Sequence, residues 1–294
     1  DLTMLFGIPN YYHKFGYIEA MNYYRLEFFN TREVPDRQQF VTRQFQTKDV
    51  PAMLYLYHQN MKHCNLVVNR SIQYMESKID HPDALIILTD SQDRVAGYAH
   101  TWDTVANKFI VIEAMTENRD ASLALLSDIV RRKPSNEQTV TIKMSPCMPF
   151  VRHVRYLGTE LTSRCFSEGE GRAMVAIIDL CQLINKFKPL INDRLAGSRF
   201  NQFTGKLKIQ CSQSVELLIE NGALKICTPA AEDSATGMRL ITDLRYFGRN
   251  VIGYWSIRDL LENTDATVSG DECSELLKVL FPVTDPFLLP WDYF

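Results

Sequence analysis

Residues 84–116 read ALIILTDSQDRVAGYAHTWDTVANKFIVIEAMT, and their pattern decides the class of fold. Three apolar runs, ALIILTD, RVAGYAHTWD and KFIVIEAM, follow one another across short breaks. Connections that short favour antiparallel neighbours. Next, DASLALLSDIVRRK (120–133) places apolar residues at helical spacing, opens on Asp120 and ends on basic residues that suit the helix dipole. The strand TVTIKM follows, and LTSRCF with RAMVAIIDL is expected to complete this sheet region. Upstream, FVTRQF alternates as a strand from Phe40. Thr47-Lys48-Asp49 offers capping chemistry for the helix VPAMLYLYHQNMKH, and RSIQYMESKI reads as a second helix. Strand, two helices, three strands, helix, strand is an α+β domain by periodicity alone.

A further unit begins at QLINKFKPLINDRL, an amphipathic helix. GKLKIQC and VELLIENGALKICTP read as strands, the latter a hairpin turning at Asn221-Gly222. MRLITDLRYFGRNVIGY and SIRDLLEN precede the acidic-start helix DECSELLKVLFP, and the sequence stops at TDPFLLPWDYF. The polar stretch NTREVPDRQQ (30–39) is a plausible linker.

At 294 residues the chain exceeds one ordinary domain. It is 46% hydrophobic and 23% charged, and its formal charge of −3 does not argue for nucleic acid as the main partner. Its apolar runs fall short of the roughly 18 residues that a membrane span needs. The seven cysteines stand singly without CxxC spacing, which fits a reducing compartment, so a cytoplasmic protein is expected. His58 and His63, five apart on one helix, face different directions and make a poor metal site. No metal is expected. His153, between Arg152 and Arg155, reads as part of a solvated basic face, and FGRNVIGYW lacks the Lys-Ser or Lys-Thr of a phosphate loop.

The opening DLTMLFGIPNYYHKFGYIEAMNYYRLEFF reads as the middle of a domain. Two strands joined by one helical turn cannot bury a core alone. Leu2 to Phe6 and Tyr17 to Phe28 are therefore expected to pair with strands upstream of Asp1. Within this stretch NYYHKFGY (10–17) matches Y-x-x-x-G-[FY], with Tyr12, Gly16 and Tyr17 in register. The plain alternative is that Tyr11 and Tyr12 are packing aromatics.

With these residues and this element order, the whole chain resembles the GNAT acetyltransferases of the enhanced-intracellular-survival type. The resemblance implies a mixed-sheet GNAT-like domain followed by a sterol-carrier-protein-like α+β domain. It divides the chain into 1–31, the end of a catalytic GNAT domain; 38–180, a degenerate GNAT copy; and 181–294, the sterol-carrier-like domain. It further implies an acetyl-CoA-dependent N-acetyltransferase, incomplete as given, acting on a small-molecule amine or a Lys-containing peptide. A homo-oligomer is expected.

In that family Tyr12 would be the general acid, and the C-terminal carboxylate of Phe294 the general base. A phenol of ordinary pKa near 10 can protonate a leaving thiolate, and a charged α-carboxylate can take a proton from an amine. Asp292 is a rival carboxylate, and the end of PWDYF packing as plain apolar mass is the bland alternative. The coenzyme A turn [RQ]-x-x-G-x-[GA] is expected upstream of Asp1. The matching slot at 116–121 reads TENRDA, without the Gly that lets backbone approach a pyrophosphate. A different class of reading is a non-catalytic module that binds a hydrophobic ligand or a partner on the same scaffold.

Overall fold

The computed structural model describes residues 1–29, 34, 39–62, 64–104, 108–132, 139–166, 168–230 and 237–292. Along the chain, β1 (Leu2–Gly7), a 3₁₀ turn (Tyr12–Phe15), β2 (Ile18–Glu19) and β3 (Tyr23–Phe29) lead to β4 (Phe40–Gln44), α1 (Val50–Met61) and α2 (Ile72–Lys78). The strands β5 (Leu85–Asp90), β6 (Val95–Thr104) and β7 (Lys108–Thr116) precede α3 (Arg119–Arg132) and β8 (Thr139–Ile142). Then come α4 (Pro149–Val154), β9 (Thr159–Arg164) and β10 (Arg172–Ile177). The last third holds α5 (Leu180–Ala196), β11 (Gly205–Gln210), β12 (Val215–Glu220), β13 (Ala223–Pro229) and β14 (Met238–Ile241). It ends with α6 (Leu244–Val251), α7 (Ile257–Asn263), β15 (Thr267–Ser269), α8 (Cys273–Leu280) and a 3₁₀ turn (Pro290–Asp292).

These elements form two units, each drawn from two separated segments: residues 22–165 with 287–294, and residues 1–21 with 166–286. The first is built on a seven-stranded sheet in the order β4-β5-β6-β7-β8-β3-β9. Its neighbours are antiparallel except β7 and β8, which run parallel from Phe109↔Val140 to Val111↔Ile142. Although β7 continues to Thr116, its pairing with β8 stops at Val111, so the two strands part there. The apolar faces of α1 and α3 cover β6 and β7. Tyr57, Tyr98, Phe28 and Phe150 are fully buried in this core, each worth roughly 1.5–3 kcal/mol over exposure.

The second unit carries a three-stranded antiparallel sheet, β1-β10-β2, and a five-stranded sheet, β13-β12-β11-β14-β15, in which β11 and β14 are parallel. The hairpin between β12 and β13 turns at Asn221 (φ 50°) and Gly222 (φ 69°), the left-handed pair such a turn needs. Asp179 caps α5 by accepting the Gln182 N–H at 2.8 Å, and α5 packs on β13. On the three-stranded sheet, α6 lies against β10 and β2.

Two expectations are corrected here. The opening strands find partners within the chain: β1 pairs with β10 from Leu2↔Ile177 to Gly7↔Arg172, and β3 pairs with both β8 and β9. RAMVAIIDL does not complete the seven-stranded sheet, because β10 joins β1 and β2 instead. In both cases the partner lies more than a hundred residues away, beyond the reach of local periodicity.

Candidate active site

Tyr12 opens the 3₁₀ turn that follows β1. The turn closes on Gly16, whose φ of 84° is the left-handed conformation that only glycine adopts freely. Gly16 N–H reaches His13 O at 3.1 Å, and Tyr17 N–H reaches Tyr12 O at 3.4 Å. This geometry explains the Tyr-x-x-x-Gly-Tyr spacing. The half-buried Tyr12 ring stands edge-on to Tyr11 and Tyr17, with centroids 5.0 and 5.9 Å away. Its hydroxyl has no hydrogen-bond partner among the described residues.

Beside it sits a pair that sequence reasoning missed. Glu19, the last residue of β2, is completely buried, and its carboxylate accepts the Gly171 N–H at 3.0 Å. The same carboxylate lies 3.0 and 3.1 Å from His13 Nε2, while Gly169 N–H points at that nitrogen from 3.0 Å. One ring nitrogen cannot donate and accept at once. Protonated, Nε2 serves Glu19; deprotonated, it serves Gly169. The Glu19 carbonyl accepts Nε–H of Arg249 at 2.7 Å. Arg249 is buried in turn, its guanidinium carbon 4.3 Å from the Trp255 ring centre and 5.9 Å from those of Tyr246 and Tyr254. Tyr254 and Trp255 are held there by their backbone N–H groups, which both bond the Arg249 carbonyl, at 2.8 and 3.2 Å.

Phe294 lies outside the described residues, so the structure says nothing of its carboxylate. Asp292 is described, and it is fully engaged. Arg70 Nε and Nη2 donate to its two oxygens at 2.9 Å each, and the Tyr74 hydroxyl donates at 3.2 Å. The rest of the Arg70 fork clasps Glu113 at 2.8 and 2.7 Å, and the Tyr98 hydroxyl donates to Glu113 at 2.5 Å. Burial raises the Asp292 pKa, and Arg70 opposes it. Arg70 itself suffers from burial, but Glu113 and Asp292 hold its pKa above the ordinary arginine value. A carboxylate locked this way anchors a segment; it does not shuttle protons. The rival base role for Asp292 therefore loses its footing.

The slot at 116–121 is partly filled from within. Glu117 N–H bonds Ala96 O at 3.0 Å, and Asn118 Oδ1 caps Ala121 N–H at 2.9 Å. With the Glu117 and Ala121 amides occupied and Glu117 and Asp120 adding negative charge, this helix start fits a pyrophosphate poorly. His153, expected in solvent, is half-buried with Nδ1 2.9 Å from Ser122 Oγ, and burial lowers its pKa. His63 lies outside the described residues. Among the described residues no cluster of three or more His, Cys, Asp or Glu is placed to hold a metal, and no helix is long and apolar enough to cross a membrane.

No family model matches the chain, and no curated protein sequence matches it. Solved structures do. A GCN5-related N-acetyltransferase from Kribbella flavida is similar over 100% of this chain and 70% of its own, with a TM-score of 0.69 and 17% identity. One from Anabaena variabilis gives 0.70 and 15% over 100% and 73% of the two chains. Eis1 from Mycobacterium abscessus gives 0.61 and 12% over 100% and 73%. At such identity the likeness shows the fold, and the fold is the α+β, mixed-sheet architecture expected from the sequence.

Proposed function

We propose that the protein is an acetyl-CoA-dependent N-acetyltransferase, with residues 1–31 closing a catalytic GNAT domain, 38–180 a degenerate copy and 181–294 a sterol-carrier-like domain. The observation that carries this reading is the Tyr12 turn: a tyrosine with an unpartnered hydroxyl, fixed by the left-handed Gly16. Tyr12 would give its proton to the leaving thiolate, and the Phe294 carboxylate would take one from the attacking amine. Acceptors would be small amines or Lys-containing peptides, and the residues that hold coenzyme A would lie upstream of Asp1. A cytoplasmic homo-oligomer without a metal completes the proposal.

Acetyl-CoA titrated calorimetrically into this chain and into one extended upstream tests the placement of the cofactor site. Binding by the extended chain alone supports it, and tight binding by the short one sinks it. In the extended chain, Tyr12→Phe should lower kcat by about 100-fold, the usual loss for one acid–base group. An added Gly-Ser tail should abolish turnover while leaving the melting temperature nearly unchanged. Full activity in the tailed protein removes the base role from Phe294.

One observation favours the binding-module reading. A cavity of about 710 Å³ opens in the unit of residues 22–165 and 287–294, walled by Trp102, Phe109, Trp291 and His100. Trp102→Ala separates the two readings: lost uptake of an apolar dye with unchanged transferase turnover would assign the cavity a role of its own.

A further inference from the structure

Arg249 is only 6% exposed, yet it makes a single hydrogen bond, from Nε to the Glu19 carbonyl. Among the described residues its two terminal amino groups have no hydrogen-bond partner, and no carboxylate pairs with it. The guanidinium carbon lies over the Trp255 ring, 4.3 Å from its centre. The remaining donors lie in its plane, where an aromatic ring cannot satisfy them. Burial lowers the pKa of this group, so its charge is held at a cost. The terminal amino groups are not among the fully buried unpaired atoms, so the fork of this largely buried residue reaches the surface, where a ligand can match it.

We propose that Arg249 and the rings around it form a binding subsite for a small carboxylate with a flat or apolar body. The Nη1–Nη2 edge matches the two oxygens of a carboxylate. Trp255, Tyr246 and Tyr254 are half-buried, so they border the guanidinium without sealing it and offer apolar surface to the body of the ligand. The charge balance favours one negative charge over two. Glu168 and the Glu19 carboxylate both act on Arg249 electrostatically, and the Tyr246 hydroxyl already donates to Glu168 at 3.1 Å. A phosphate dianion would meet that repulsion with one cation to offset it. The subsite does not rest on the acyl-transfer reading, because direct binding reveals it without turnover.

Sodium benzoate is the probe, titrated into the whole chain at constant ionic strength and followed by calorimetry and tryptophan fluorescence. The wild-type protein should bind it saturably in the millimolar range, and Arg249→Met should weaken binding roughly tenfold to a hundredfold, the worth of a charge-assisted pair. Arg249→Lys, which keeps the charge without the fork, should fall between. Inorganic phosphate at equal ionic strength should not compete. Circular dichroism checks the fold of each variant, and if Arg249→Met unfolds, Arg249→Lys and Trp255→Leu decide. Absent saturable binding, equal affinity in a folded Arg249 variant, or preference for phosphate would each overturn the assignment.

Discussion

Arg70 and Arg249 are both buried arginines laid against aromatic rings, Arg70 with its guanidinium carbon 4.0 Å from the Tyr57 centroid and Arg249 4.3 Å from that of Trp255. They differ in what their planes meet. Arg70 donates four charge-assisted hydrogen bonds to two carboxylates, and those carboxylates receive further bonds from Tyr98 and Tyr74. Arg249 donates one, to a neutral carbonyl. Their pKa values accordingly move in opposite directions, up for Arg70 and down for Arg249. The same residue type thus does two jobs. Where every donor is matched inside the chain, the arginine fastens elements together. Where donors are left over, something outside the chain is expected to match them.

The largest expected effect tests that contrast directly. Arg70→Met strands two buried carboxylates, and breaking a buried pair in this way costs about 3–5 kcal/mol. Arg249→Met strands only a neutral backbone carbonyl, so it should cost less, about 1–2 kcal/mol. Urea unfolding of both variants, with m-values compared to exclude a changed denatured state, gives the numbers. Equal losses would erase the distinction between a fastening and a binding arginine.

A second effect concerns the surroundings of the Arg70 network. His100 stands edge-on to Trp291 at 4.6 Å, and burial, helped by Arg70 and His81, pushes its pKa down to about 4. In the unfolded chain the same imidazole titrates near 6.5. Between those values the unfolded state binds the proton and the folded state does not. Stability from this group is thus complete above pH 6.5 and is lost as pH falls towards 4, by about 3 kcal/mol in all. Asp292, its pKa raised by burial, works in the opposite sense over the lower part of that range. The difference between wild type and His100→Gln, measured by unfolding at pH 7, 5.5 and 4, isolates the histidine. Parallel curves would mean that His100 is solvated, and the tail held less tightly than the structure shows.

These two arginines also mark where the sequence could be read and where it could not. Between Phe40 and Arg132 the elements were legible, because strands and helices there carry their own periodicity and capping residues. The Tyr12 turn was legible through its resemblance to the family spacing Tyr-x-x-x-Gly-Tyr, whose glycine takes the left-handed conformation. Pairing of β1 with β10 was not, since both edges look alike until the chain folds back. Arg249 sat inside FGRNVIGYW and could be read only as a failed phosphate loop, for nothing local says that a lone arginine will be buried. Asp292 looked like a candidate base because its partner, Arg70, is 222 residues away. His13 and Glu19 were overlooked for a related reason: the glycine N–H groups that define their geometry arrive from residues 169 and 171.

The smallest effect sharpens the contrast without touching either arginine. α6 carries Arg249, and it begins at Asp243, whose carboxylate accepts the Arg245 N–H at 2.8 Å and pairs with the Arg245 side chain at 2.9 Å. That arrangement, led by the Arg245 side chain, lowers the Asp243 pKa, so its contribution is complete above the ordinary carboxylate range and fades as pH falls below it. Asp243→Ala should cost about 1 kcal/mol, the usual worth of an N-cap. Asp243→Asn keeps the cap and gives up only an exposed ion pair, so it should cost under about 0.5 kcal/mol. If α6 is what holds the open edge of Arg249 in place, the alanine variant should also weaken benzoate binding by a few-fold at 25 °C while the asparagine variant leaves it unchanged. Benzoate affinity that ignores the state of the cap would show that β2, through the Glu19 carbonyl, sets the position of the guanidinium without help from its own helix.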